Sequence, residues 1–374
     1  MLDDVSSNVL NVMDFGAVGD GKTDDSQAFL KAWDKACTSW NPSTLVVPSD
    51  KSFLLRPVVT FQGPCKAPSI DFQIWGDILA PKSMSAWKKS DDTDHWIVFD
   101  LITGLSINGT GKIDGRGSSW WECREKHAIQ INGCADFQMK GIKIFNSQQM
   151  HVAIDSCYGV QISDVWIVAP ESSPNTDGIH IGSSKNVDIS KSTIETGDDC
   201  ISIGTGTSNV TISDIYCGPG HGISIGSLGK HGPAAVEQIY VYNCTFKGTQ
   251  NGARIKTWQG GSGYAKDITF EDIILDSSDN PIIIDQYYCN GGDGCKNKTS
   301  AVKVSHVWFN NFRGTSSSKT AINLACSETV ACEDIHLNHV HIMGVDSKEV
   351  VPYTLNVKGN MLDVKPEPYI KQKT

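Results

Sequence analysis

Pairs of aliphatic residues separated by one position recur through the middle of this chain at steps of 22 to 27 residues, and few folds accommodate such a step. The pairs are Ile129/Ile131, Val152/Ile154, Ile179/Ile181, Ile201/Ile203 and Ile223/Ile225, with Ile282/Ile284 further on. A second series runs out of phase with them: Val160–Val165, Val187–Ile189, Val210–Ile215, Ile239–Val241, Ile268–Ile273, Val302–Val304 and Ile335–Leu337. Both series alternate apolar with polar residues, the signature of short strands with one buried face. Gly, Asn, Ser and Asp, the turn formers, fill the gaps. Short strands repeating once per coil, without helices between them, predict an all-β, right-handed parallel β-helix whose coils stack at about 4.8 Å. A β-propeller needs roughly 40–50 residues per blade and antiparallel strands, so the step excludes it.

The coil core is expected over about residues 9–345 of one domain spanning 1–374, with a polar, frayed tail after about Met361. One short helix is predicted near the start. Thr23, Asp24, Asp25 and Ser26 offer its cap, and Ala28, Phe29, Ala32, Trp33 and Ala36 share a face at helical spacing. Such a helix covers the unpaired backbone that the first coil would otherwise expose. Hydrophobic residues at 39% suit a packed core, and a net charge of −10 disfavours nucleic acid as a partner. No apolar run reaches the ~18 residues of a membrane span. The acidic start Met1-Leu2-Asp3-Asp4 shows no signal peptide. Twelve cysteines, with close pairs Cys289/Cys295 and Cys326/Cys332, and sequons at Asn108, Asn209, Asn243 and Asn297 nonetheless favour a secreted protein whose signal has been removed.

Aligning coils on their aliphatic pairs brings chemistry into one phase. Asp177, Asp199 and His221 each lie 22 residues apart, just before an aliphatic pair; Asp198 adds a further carboxylate, and Arg254 and Lys256 follow in the next such frame. Singly, each is an ordinary turn residue or solvated charge. Together they have no reason to share a phase unless they share a site. Crowded carboxylates repel, so at least one pKa is expected to rise, giving the acid and base that glycoside hydrolysis requires. Coil spacing alone leaves open whether their separation suits retention or inversion. An acidic ladder also suits Ca²⁺ and β-elimination, with Arg or Lys as base, although His221 fits hydrolysis better.

Asn175-Thr176-Asp177, Gly197-Asp198-Asp199-Cys200, Gly220-His221-Gly222 running on to Ser227, and Arg254-Ile255-Lys256 together resemble the four signature segments of the polygalacturonase family of glycoside hydrolases. The flanks Cys217–His221 and Thr257–Ser262 are similar to its plant branch. The resemblance implies inverting hydrolysis of α-1,4-galacturonan, the pectin backbone. Asp198 would be the general acid, Asp177 and Asp199 would hold and deprotonate water, and His221 would tune the acid. Arg254, Lys256, Tyr288 and Asn175 would bind the substrate. It further implies Cys200–Cys217 and Cys326–Cys332 disulfides, no cofactor and no metal. The expected setting is the plant cell wall or apoplast. There the protein would act as a monomer on homogalacturonan, with a proteinaceous inhibitor or another wall protein as a further partner and no nucleic acid or membrane. A catalytically silent pectin-binding or regulatory wall protein of the same fold is the alternative. Two departures from the plant pattern are a shorter stretch between Trp121 and Ile129 and a tail after Met343 without cysteine.

Overall fold

A computed structural model describes residues 8–87, 95–122, 127–289, 295 and 298–372. The N-terminal Met1–Asp4, the centre of the shortened stretch after Trp121, and the sequon Asn297 lie outside the described residues. The chain forms two compact units: residues 1–179 with 187–193, and residues 180–186 with 194–374.

In the first unit each coil contributes up to three short strands, and equivalent strands pair in parallel with the next coil. One face stacks Val59–Gln62, His95–Asp100, His127–Asn132 and Val152–Asp155. A second stacks Asn8–Asn11, Ser43–Val47, Ile70–Ile74 and Leu105–Asn108, then Ala135–Lys140 and Tyr158–Ser163. A third runs from Ser52–Leu54 to Trp166–Val168. The register is the one the aliphatic pairs predict, with Ile129 beside Val152 and Ile131 beside Ile154. All four are essentially without exposure. The helix Ser26–Cys37 buries the expected face, Ala28, Phe29, Ala32, Trp33 and Ala36. Trp33 lies 5.2 Å from Phe61, which stacks on Phe99. The capping differs from expectation. Asp25 makes no side-chain cap bond; its carboxylate instead accepts from Val18 N and Gly19 N, drawn to a glycine-rich turn with free donors. Asp24 accepts from the Ser26 N–H.

The second unit repeats the scheme. Ile201–Ile203, Ile223–Leu228, Asn251–Trp258, Asn280–Tyr288, Thr320–Ala325 and Val351–Leu355 form one parallel ladder. Between Ile223/Ile225 and Ile282/Ile284 sits a coil that the aliphatic pattern skips, because its pair is Ala253/Ile255. The opposite side is built from long bent strands such as Gly263–Ser278 and Lys303–Ser316. There Ile268 pairs with Val307, and Val304 pairs with Ala265, so Val302–Val304 is the entry to a longer strand and not the whole of one. Bends inside these strands fall on residues with positive φ, Asp272 and Asn311 among them. Asn311 Nδ2 donates to Asp272 Oδ1 at 3.0 Å, tying corner to corner. Pairing also runs on past the expected core. Val357–Lys365 pairs with Cys332–Gly344, and Lys371–Gln372 with Val357–Lys365, so the tail is stacked rather than frayed. Its sequence is largely polar, but backbone pairing and the buried side chains of Val357, Val364 and Ile370 hold this last coil.

Four disulfides form among the described residues: Cys37–Cys65, Cys200–Cys217, Cys289–Cys295 and Cys326–Cys332. Cys134, Cys157 and Cys244 are buried and form no disulfide among the described residues. No helix among the described residues is long and apolar enough to cross a membrane.

Candidate active site

The second unit gathers Asp198, Asp199, His221, Arg254, Lys256 and Tyr288. The ladder's outward positions, between the inward aliphatics, carry Ser202, Ser224 and Arg254 in register. His180 extends this row through an Nδ1 to Ser202 Oγ bond of 2.8 Å. Asp199 enters two residues before Ile201 and is 1% exposed. Its Oδ1 accepts from Ser224 Oγ at 2.7 Å and from Arg254 Nη2 at 2.5 Å, and its Oδ2 accepts from Lys256 Nζ at 2.8 Å. Arg254 Nε in turn donates to Ser224 Oγ at 2.7 Å. Ser224 went unnoticed as a site residue in the sequence. Its signal was its place, a polar residue midway between two inward isoleucines and therefore facing the outward row.

Burial pushes the Asp199 carboxyl up, but the charges of Arg254 and Lys256 and the bonds from Lys256 and Ser224 outweigh it. They hold the carboxyl well below the usual carboxylate range. Asp199 is thus not the carboxyl that crowding raises, since two cations rather than its neighbouring acids dominate its field. Burial lowers the Arg254 guanidinium, and Asp199 more than compensates, so it stays above its ordinary value. Asp285 moves up through burial, one strand along and in register with Lys256.

Asp198 has a different environment. Its side chain is 20% exposed, and His221 Nδ1 lies 3.0 Å from its Oδ1. The Asp199 N–H donates to the same oxygen at 2.8 Å. His221 thus partners Asp198, while Asp199 turns to the serine and the two cations; the coil phase they share in sequence does not make their side chains one stack. Gly220 and Gly222 let this segment approach. His221 N donates to Asp198 O at 2.8 Å. A Cβ at Gly222, where φ is +84°, would sit 2.2 Å from Asn251 O. The Cys200–Cys217 bridge, closing a loop of 17 residues, pins the chain beside the pair. Tyr288 pairs with Trp258 in register, packs edge-on against it at 5.4 Å, and lies 5.5 Å beneath Lys256 Nζ.

Asp177 and Asn175 belong to the first unit. Asp177 is buried, at 7% exposure, and its carbonyl accepts from His151 N at 2.8 Å. Asn175 is half-buried in the left-handed region at φ 53°. One oxygen or nitrogen from each of Asp198, Asp199 and His221 falls within 4.8 Å of the others, a spacing a cation can use. Asp199, however, already carries three donors, two of them cationic, so a metal there would meet positive charge at contact distance. The arrangement suits acid–base chemistry better than the Ca²⁺ alternative.

The sequence model of glycosyl hydrolases family 28 matches residues 37–358. A probable polygalacturonase of Arabidopsis thaliana is 52% identical over 363 residues, covering 95% of this chain and 78% of the relative. A polygalacturonase of Malus domestica is 45% identical over 350 residues, with 90% and 75% covered. Among solved structures, endo-xylogalacturonan hydrolase from Aspergillus tubingensis superposes with a TM-score of 0.81 at 24% identity, covering 98% of this chain and 99% of that one. The polygalacturonase from Erwinia carotovora gives 0.77 at 24% identity, covering 95% and 96%. The structural likeness shows the fold, a right-handed parallel β-helix. With most of its length matched by the family model, and with relatives this similar, the chain belongs to glycosyl hydrolases family 28.

Proposed function

We propose that the protein is a plant polygalacturonase that hydrolyses α-1,4-galacturonan with inversion, using Asp198 as general acid and Asp177 and Asp199 to hold and activate water. The observation that carries this reading is the contrast within the Asp198/Asp199 pair. One carboxyl is buried and kept ionised by two cations; the other is partly open and bonded to a histidine. Neighbouring carboxyls in opposed environments are what acid and base roles require. Asp198 Oδ1 is occupied by the Asp199 N–H and His221, which leaves Oδ2 to carry the transferable proton. Asp199 retains one acceptor position, on Oδ2, enough for a water. A carboxylate held by three donors is a poor nucleophile, which favours attack by water and inversion over a covalent intermediate.

Arg254 and Lys256 give only some of their N–H groups to Asp199 and Ser224, and the rest are available for a galacturonate carboxylate. With Tyr288 and Asn175 they would bind the sugar, which reconciles an anionic substrate with a protein of net charge −10. Hydrolysis, not elimination, predicts reducing ends from polygalacturonate without an absorbing unsaturated product, and the inverted anomer in proton NMR of the first product. Asp198→Asn is expected to lower kcat by ~10²-fold or more. Turnover by that variant at the wild-type rate would refute the role given to Asp198. The disulfides and the plant relatives support action outside the cell, in the pectin of the wall.

A further inference from the structure

His151 is fully buried, and both of its ring nitrogens are engaged by backbone. The Ser147 N–H points at Nε2 from 3.3 Å, and an amide can only donate, so Nε2 is the acceptor and the ring proton sits on Nδ1. Nδ1 thereby donates to the Asp177 carbonyl oxygen, 3.0 Å away. The same carbonyl already accepts the His151 backbone N–H at 2.8 Å, and Val152 N donates to Gly178 O at 3.1 Å. The parallel ladder is therefore complete without the imidazole. The ring adds a second donor to one peptide oxygen, and a hydrocarbon of similar size would serve the core without the desolvation of a polar ring.

We infer that His151 is a positioning residue for Asp177, its Nδ1–H fixing the Asp177–Gly178 peptide and with it the direction in which the Asp177 carboxylate leaves the coil. Gly178 places no side chain on that peptide, so the ring adds its hold to a peptide otherwise fixed through its backbone hydrogen bonds. The near side is latched separately. The hydroxyls of Ser173 and Thr176, both without exposure, lie 2.7 Å apart, and each also bonds a carbonyl of the loop, of Pro170 and Ser173 respectively. The turn that holds the imidazole is anchored as well. Ser147 Oγ donates to Met150 O at 2.7 Å, and Trp121 Nε1 donates to Ser147 O at 3.0 Å. Trp121 thus ties its own coil to the turn that carries His151.

This inference rests on the reading of Asp177 as a water-activating carboxylate, and the experiment separates the two. His151→Leu fills the space without a donor, whereas His151→Asn offers an amide N–H near the Nδ1 position. Steady-state kinetics on polygalacturonate are measured for both, and for Asp177→Asn, at a temperature where circular dichroism shows each folded. Expected is a kcat lowered ~10-fold or more in His151→Leu with KM within about twofold, and kcat largely recovered in His151→Asn. If His151→Leu does not fold, His151→Gln replaces it, its donor one methylene too far out, with kcat expected below that of His151→Asn. Wild-type kcat in the donor-less or misplaced-donor variant beside an inactive Asp177→Asn overturns the inference alone. Equal losses in that variant and His151→Asn reduce His151 to a packing role and overturn it too. An active Asp177→Asn overturns the reading of Asp177 and the inference together.

Discussion

At the scale of single residues, the site turns on how Asp199 is held. Its oxygens take a hydroxyl, a guanidinium and an ammonium, so the cluster of one buried anion and two cations is knit through Ser224. Ser224→Ala removes one hydrogen bond to the carboxylate and one from Arg254. It is expected to cost about 1.5–3 kcal/mol in thermal or denaturant unfolding, with kcat falling as Asp199 loosens. Asp199→Asn leaves two buried cations unneutralised and is expected to cost roughly 3–5 kcal/mol, well beyond the serine variant. A smaller loss for Asp199→Asn than for Ser224→Ala would contradict the ion-pair account. The carboxylates, His221, Arg254 and Lys256 were legible in the sequence because they are chemically distinctive and cluster around the aliphatic pairs of successive coils. Ser224 and His151 were not, since a single polar residue in or beside a strand is unremarkable and only its partners reveal what it holds.

At the scale of elements, the coil strands are set by their inward aliphatics and the corners by residues that tolerate positive φ. The skipped coil at Ala253/Ile255 shows the limit of that pattern. Alanine reads weakly as a core residue, yet it is fully buried and in register with Ile223 and Ile282. Its strand also carries Arg254 and Lys256. The Cys200–Cys217 bridge belongs to this scale, because it joins the start of one coil's strand to the end of the same turn. Removing it by a paired Cys200→Ala, Cys217→Ala change is expected to lower stability by about 3 kcal/mol, the usual order for a loop of this length. Under the proposed roles the loss should appear in kcat before KM, since Cys200 directly follows Asp198 and Asp199 in the chain. An unchanged unfolding midpoint would show that the β-ladder alone holds the segment.

For the whole molecule, pH links the buried groups to global stability. Burial pushes His151 down to about 4, against the carbonyls of Asp177, Val168 and Thr176, which favour its proton. The unfolded chain takes up that proton first, so stability is whole above pH ~6.5 and is lost as pH falls toward 4, by about 3 kcal/mol. Asp199, also depressed, keeps its contribution until pH drops below the ordinary aspartate range. Unfolding free energies of wild type and His151→Asn should therefore converge by up to about 3 kcal/mol between pH 7 and 4. A gap that stays constant across that range would mean His151 does not titrate as its burial dictates. The amino-acid sequence alone determined the parallel coils, the capping helix and the list of charged candidates, because periodic burial and residue type are local properties written along the chain. The tertiary structure alone decided that His221 serves Asp198, that Arg254 and Lys256 neutralise Asp199, and that a buried histidine grips the Asp177 peptide. Those are relations between side chains and backbone tens of residues apart, and only the stacking of one coil on another creates the distances on which they depend.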